Sequence, residues 1–206
     1  KMIDKYFNHT PSDQVLASKF ALGSIDRYVM PWSEHKLDRW ILSELHTMVA
    51  EVEQQLDAYQ IWEATNKIEQ FVDNLSNWYV RRSRRRFWKA ENDQDKNSAY
   101  QTLYHVLTTL TKVIAPFVPF VSEHMYRNLV GKESVHMASF PRSITSFVRP
   151  ALNEEMAFMR NIVNLGHAIR ANQKLKTRQP LPSATVIAPM RLQAEGFATE
   201  HVANGE

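Results

Sequence analysis

Phe71-Val72-Asp73-Asn74-Leu75-Ser76-Asn77-Trp78-Tyr79-Val80-Arg81-Arg82-Ser83-Arg84-Arg85-Arg86-Phe87-Trp88-Lys89 reads as a helix that changes character along its length. Counting back from it, Ile61, Ala64, Ile68, Phe71, Leu75 and Trp78 recur at steps of three and four, the spacing of a buried helix face. The same steps carried forward reach Arg82, Arg85 and Lys89. One long helix is therefore expected, leaving a core and offering its last three turns to something negatively charged. Arg81, Arg82, Arg84, Arg85, Arg86 and Lys89 place six positive charges within nine positions, with no acid among them. Like charges three and four apart repel, so the helix alone gains nothing from them, and a polyanion would supply the missing counter-charge. Trp78, Tyr79, Phe87 and Trp88 are spaced to stack on bases or sugars. The blander reading pairs some of these arginines with carboxylates of neighbouring helices, since the chain also holds 22 Asp plus Glu.

At 206 residues the chain has room for one large domain, or for a domain and part of another, around a real core. Hydrophobic residues at 44% and charged ones at 23% are ordinary for a soluble globular protein. No apolar run approaches the roughly 20 residues of a membrane span, and the start has no charged-then-apolar secretory pattern. A soluble, cytosolic piece is expected. With no cysteine, disulfides and thiolate metal sites are excluded within these residues. The formal charge of +3 is mild, and its meaning lies in the clustering. Opening on Lys1-Met2-Ile3, without an initiator methionine in first place, the sequence reads as an excised part of a longer chain.

Only five glycines and repeated stripes of helical period predict an all-α body. Residues 1–32 form a poorly legible entry segment, with a helix start at Thr10-Pro11 and a stop at Gly23. Ser33 is the expected cap of the next helix, where Leu37, Ile41, Leu45, Met48, Val52 and Leu56 recur, with Trp40 and Val49 beside them. It should end near Asp57-Ala58-Tyr59. After Lys89, residues 90–97 read as a polar loop. Ser98 and Gln101 have capping-box spacing ahead of a stripe of Tyr100, Leu103, Leu107, Leu110 and Ile114, closed by Pro116. A short helix from Pro119 to about Val130 stops at Gly131. Ser134 to Pro141 reads as an extended crossing, and a further helix from about Asn153 carries Phe158, Ile162, Leu165 and Ile169 on one side. Thr185-Val186-Ile187, β-branched, reads as a strand opening a further module. The organisation expected is an entry segment at 1–32, a helical domain at 33–180 and the start of a C-terminal module at 181–206.

Chemistry is nearly absent from the pattern. There is no glycine-rich phosphate loop, no G-x-S-x-G and no H-E-x-x-H. The eight histidines show no ligand spacing. His46, His105 and His124 read as helix-face residues and His136 as a hydrogen-bonding structural group, so neither a catalytic residue nor a metal site is expected.

Asn77-Trp78-Tyr79-Val80-Arg81-Arg82-Ser83-Arg84-Arg85-Arg86-Phe87-Trp88 resembles the signature helix of the anticodon-binding domain of isoleucyl-tRNA synthetases, a class I family. Leu37 to Leu45, Ala99 to Tyr104 with Ile114 to Phe120, Ser134 to Met137, and Lys176 to Leu181 match later and earlier landmarks in the family's order. The resemblance covers roughly residues 33 to 188 and implies a helical bundle that recognises the tRNA. The parent enzyme would attach isoleucine to its tRNA using ATP and Mg, in catalytic and editing domains absent from these residues; no cofactor is expected here. Carried onto this sequence, the resemblance implies tRNA contact by Arg81, Arg82, Arg85, Arg86 and Lys89, by Tyr79 and Trp88, and by a second cluster of Lys174, Lys176 and Arg178. Trp78 reads as core and Arg84 as a structural ion pair. The alternatives are the equivalent domain of a valyl or leucyl enzyme, and a helical protein-interaction module with an acidic partner.

Overall fold

The computed structural model describes residues 33–89, 93–131 and 134–186; side chains of 88, 89 and 93 are outside that set. The readings at 1–32 and the end of the C-terminal module therefore lie outside the described residues. Among those described there are six α-helices and no strand: α1 Lys36–Asp57, α2 Ile61–Asp73, α3 Arg84–Lys89, α4 Asp93–Ile114, α5 Pro119–Val130 and α6 Pro150–Asn172. A π-helical segment, Asn74–Val80, joins α2 to α3, and two 3-10 turns, Val135–Met137 and Thr145–Phe147, lie between α5 and α6. Thr185 and Val186 have no regular structure, so the strand expected there is not seen in its described part.

The core is built on α1, whose Trp40, Ile41, Leu45, Val49 and Val52 are wholly buried. Ala64, Ile68 and Phe71 of α2 pack on it as the spacing predicts. Beyond Phe71 the expected single α-helix gives way to the π segment, and the buried positions become Leu75, Tyr79, Ser83 and Phe87, one every four residues. A π turn holds more residues than an α turn, so the stripe slips by one from the positions that a constant α period would choose. Trp78 ends half-buried at the edge, and Arg82 and Arg85 are exposed.

Other boundaries also move. Helix α1 is capped by His35, whose Nδ1 accepts from the Leu37 N–H at 3.2 Å, not by Ser33. Ser33 Oγ instead accepts from the His35 N–H at 3.2 Å and donates to Asp38 Oδ2 at 2.5 Å. Helix α4 begins at Asp93, not Ser98, because Asp95 in its first turn is tied to α3 and acids suit a helix N-terminus. Its deepest face is Ala99, Thr102, Val106 and Val113, while Tyr100 is exposed. Leu103, Leu107 and Ile114 pack beside the core only partly buried. The bundle thus accepts small and β-branched residues where α4 meets it most closely. Gly131 stops α5 at φ 109°, a conformation that a side chain would strain.

The crossing segment is pinned to α1 around His46. Ser143 Oγ donates to the His46 carbonyl at 2.7 Å, the Ile144 N–H donates to His46 Nδ1 at 3.2 Å, and Phe147 stacks on the ring at 5.2 Å. His105 of α4 lies 5.7 Å from the same ring. Ser134, by contrast, starts a 3-10 turn by accepting from the His136 N–H at 3.3 Å while its hydroxyl donates to Glu123 Oε2 at 2.9 Å, and the His136 side chain is exposed. Helix α6 starts at Pro150, buries only Met156, and leaves Leu165 and Ile169 more than 60% exposed. The expected buried stripe therefore fails past the first half of α6, where the described residues supply nothing to cover it.

Burial holds the His46 imidazole down to about 4, helped by the neighbouring His105; burial and Lys112 hold His105 down to about 4. Unfolded histidine titrates near 6.5, so between those values the unfolded chain binds more protons. The stability tied to the neutral rings is complete above about pH 6.5 and drains as pH falls toward 4, by at most about 3 kcal/mol per ring. Urea unfolding across this window should lose roughly half of its pH dependence in His46→Gln. An unchanged slope would contradict the latch.

Candidate nucleic-acid interface

The arginine run is divided by one buried carboxylate. Asp38 on α1 has no exposed surface, and its two oxygens accept from Ser33, from the Tyr79 hydroxyl at 2.9 Å and from both terminal nitrogens of Arg86 at 2.7 and 2.8 Å. Arg86 also donates through Nε to both Asp95 oxygens, at 3.0 and 2.9 Å, and through Nη2 to Asp95 Oδ1 at 2.6 Å. A forked, planar guanidinium can bridge two carboxylates in this way; an ammonium cannot. Burial alone would lower the Arg86 pKa, but its hydrogen bonds to Asp38 and Asp95 outweigh that and the net shift is upward. The same contact holds the Asp95 carboxyl below its ordinary range. Burial, with the Asp38 carboxylate beside it, pushes the Tyr79 hydroxyl up, so it stays protonated and donates.

Two expectations are corrected by this arrangement. The resemblance groups Arg86 with the phosphate contacts, yet its side chain is only 10% exposed and committed to two acids. The sequence spaces Tyr79 as a stacking group, yet it is wholly buried and hydrogen-bonded. Arg86 makes a structural ion pair with two acids, and Arg84 is exposed. Sequence spacing missed this because the π segment turns position 79 inward and sends 78 to the edge.

What remains outward is a basic face of Arg81, Arg82, Arg84 and Arg85. The side chains of Arg81 and Arg85 have no hydrogen bond or ion pair among the described residues, and Arg82 lies 4.4 Å over the Trp78 ring. The side chains of Trp88 and Lys89 fall outside the described ones. The second cluster is also exposed: Lys174, Lys176 and Arg178 sit on a loop after α6, which Arg170 gathers by donating to the carbonyls of Lys176, Thr177 and Gln179. A third group had no signal as a run. Lys36 and Arg39 of α1 and Arg149 before α6 line one cavity of about 390 Å³. Arg149 lies 113 positions after Lys36, so only the fold unites them. No group of three or more potential metal ligands occurs among the described residues, and no described helix is long and apolar enough to cross a membrane.

A helical bundle that turns a row of arginines outward is the framework of a nucleic-acid-binding module, and comparison with known proteins agrees. Residues 38–187 match the family described as the anticodon-binding domain of tRNA ligase, and the chain belongs to that family. It is similar to the isoleucine–tRNA ligases of Dehalococcoides mccartyi strain CBDB1, with 45% identity over 92% of this chain and 18% of the relative, and of strain ATCC BAA-2266, with 49% over 74% and 16%. The Chlamydia caviae isoleucine–tRNA ligase shares 43% over 82% of this chain and 16% of its own length. The chain therefore spans less than a fifth of the relatives it matches.

Arg86→Lys should cost about 2 kcal/mol or more in urea unfolding, because a lysine leaves a buried acceptor unmet. Asp95→Asn, on the more exposed arm, should cost less than about 1 kcal/mol. Equal losses would contradict the assignment of Asp38 as the buried partner.

Proposed function

We propose that this domain binds tRNA through the exposed arginine face of α3 and the preceding turn, as the tRNA-recognising part of an isoleucyl-tRNA synthetase. The observation that carries the reading is the division of the run: Arg86 is withheld by two acids, while Arg81 and Arg85 stand exposed without a partner among the described residues. Exposed cations lacking internal partners are what a phosphate backbone requires, since each contact releases counterions. Lys174, Lys176 and Arg178, on a loop braced by Arg170, extend the basic surface, and Lys89 and Trp88 follow it in sequence. The isoleucine branch is supported by the relatives above and by the Trp78-Tyr79-Val80-Arg81-Arg82 run.

In the parent protein, acting in the cytoplasm, isoleucine would be joined to its tRNA with ATP and Mg by other domains. This stretch contributes position, not chemistry. Phosphate contacts orient the tRNA, whereas discrimination requires base edges.

Fluorescence anisotropy against isoleucine, valine and unrelated tRNAs at several salt concentrations tests the reading. Arg81→Gln with Arg85→Gln should weaken binding and flatten log Kd against log salt by about 0.7 to 0.9 per lost contact. Arg86→Gln should lower stability and leave the slope of the folded protein unchanged. No binding at low salt, or an unchanged slope in the double variant, would overturn the proposal and favour an interaction module.

A further inference from the structure

Two helix hairpins bring their connections to one end of the bundle. Arg86 ties Asp38 near the start of α1 to Asp95 near the start of α4. Further along, the His46 and His105 rings lie 5.7 Å apart, so the two helices run in the same direction. Asp57 ends α1 eleven residues past His46, and Ile114 ends α4 nine residues past His105. The helical rise converts these to about 16 and 14 Å, which brings both helix ends to one level. The turn from α1 into α2 and the turn from α4 into α5 therefore share the end of the bundle opposite the Arg86 clamp. The 22 residues of α1 set that end about 33 Å from the arginines.

Both turns expose large apolar side chains there. The first turn supplies Tyr59, Ile61 and Trp62, and the second Val118, Phe120 and Val121; Tyr59 and Phe120 are each 89% exposed and Trp62 72%. Apolar residues scattered singly over a surface are ordinary, but six gathered at one end of a domain mark a contact surface. The backbone at Tyr59 points the same way. The Gln60 N–H donates to the Gln55 carbonyl at 2.8 Å and the Tyr59 N–H to the Leu56 carbonyl at 3.0 Å, a paired helix closure whose left-handed residue is usually glycine. Here that residue is Tyr59, at φ 58°, and its ring gains no burial within the domain to offset the strain.

Charge narrows the choice of partner. Glu53, Asp57 and Glu63 stand exposed around the first turn, with no ion pair among the described residues. They repel a phosphate backbone, and a second copy of the chain is disfavoured because a symmetric contact sets like acids against one another. The complement is a protein surface with an apolar pocket edged by lysine or arginine. The chain spans less than a fifth of the relatives it matches, which leaves ample further sequence to supply one. We infer that this apolar end seats another folded part of the same synthetase, one whose contact surface is apolar with a basic rim. The inference rests on the chain being part of that longer enzyme, and it gives the domain a protein-facing end opposite its RNA-facing one. Helix α1 then acts as a strut of fixed length between the two.

The test is maleimide labelling of Gln60→Cys, an exposed position between Tyr59 and Ile61, in the 206-residue chain and in the full synthetase that contains it. Both proteins are freed of RNA, and the labelled peptide is quantified by mass spectrometry. This substitution keeps every apolar side chain of the surface in place. Labelling should be at least about tenfold slower in the full synthetase, because a covered thiol reacts only in its open fraction. Trp62→Ala with Phe120→Ala should restore fast labelling there. In the 206-residue chain, where both side chains are exposed, the same pair should leave the urea midpoint unaltered. Equal labelling of the two proteins would overturn the inference. Slow labelling in the chain alone would also overturn it, since the chain would then cover its own end. Protection that appears only when tRNA is added would make RNA the occupant, and protection that survives the double variant would move the contact elsewhere; either result overturns it. The salt slope of the arginine variants is read separately, so failure here leaves the RNA reading standing.

Discussion

The carboxylate of Asp38 is taken wholly out of water, and much of the structure follows from what that demands. An ionised carboxylate in the interior costs several kcal/mol unless charges and donors meet it closely. Here they come from Ser33 ahead of α1, from Tyr79 in the π segment and from Arg86 in α3, and Arg86 brings Asp95 of α4 with it. One side chain thus joins four pieces of chain that no continuous apolar stripe would align. Removing Arg86 leaves the Asp38 charge buried without compensation, so α1 and α3 are held together by that pair.

That constraint decides the chemistry of the surface. Once Arg86 faces inward, the face formed by Arg81, Arg82, Arg84 and Arg85 faces outward, and like-charge repulsion along it goes unrelieved by the clamp. The π segment does the complementary work. By slipping the buried stripe onto Leu75, Tyr79, Ser83 and Phe87, it moves Trp78 to the margin, where it packs partly buried against the core and carries Arg82 over its ring. A cationic surface and an aromatic edge are thereby produced by one irregular turn. The His46 latch secures the crossing segment and with it Arg149, which joins Lys36 and Arg39 at another basic cavity.

Much of this was legible in the sequence, and the limits have physical causes. The α1 face was readable because Ile41, Leu45, Met48 and Val52 keep one period throughout. The Pro119 start and Gly131 stop were readable because those residues allow few backbone states. The arginine cluster was visible as charge, but not its division. Asp38 lies 48 positions from Arg86, and a single acid in a helix's first turn looks like any other. The π turn has no propensity signature, so a constant period misplaced Tyr79 and Trp78. The α4 stripe was misread because Thr102 and Ala99 are deeper than Tyr100: closeness of approach, which sequence period does not encode, selects small residues. The buried face expected on α6 depended on neighbours that the described residues do not supply.

The account turns on a direct coupling between Asp38 and Arg86, and a double-mutant cycle measures it. Urea unfolding of Asp38→Asn, Arg86→Gln and the double variant, at neutral pH, gives the interaction free energy. The account predicts coupling of about 1.5 to 3 kcal/mol, the double variant losing much less than the two single losses added together. Additivity within about 0.5 kcal/mol would contradict it, and Arg86 would then rejoin the outward arginines as one more surface cation.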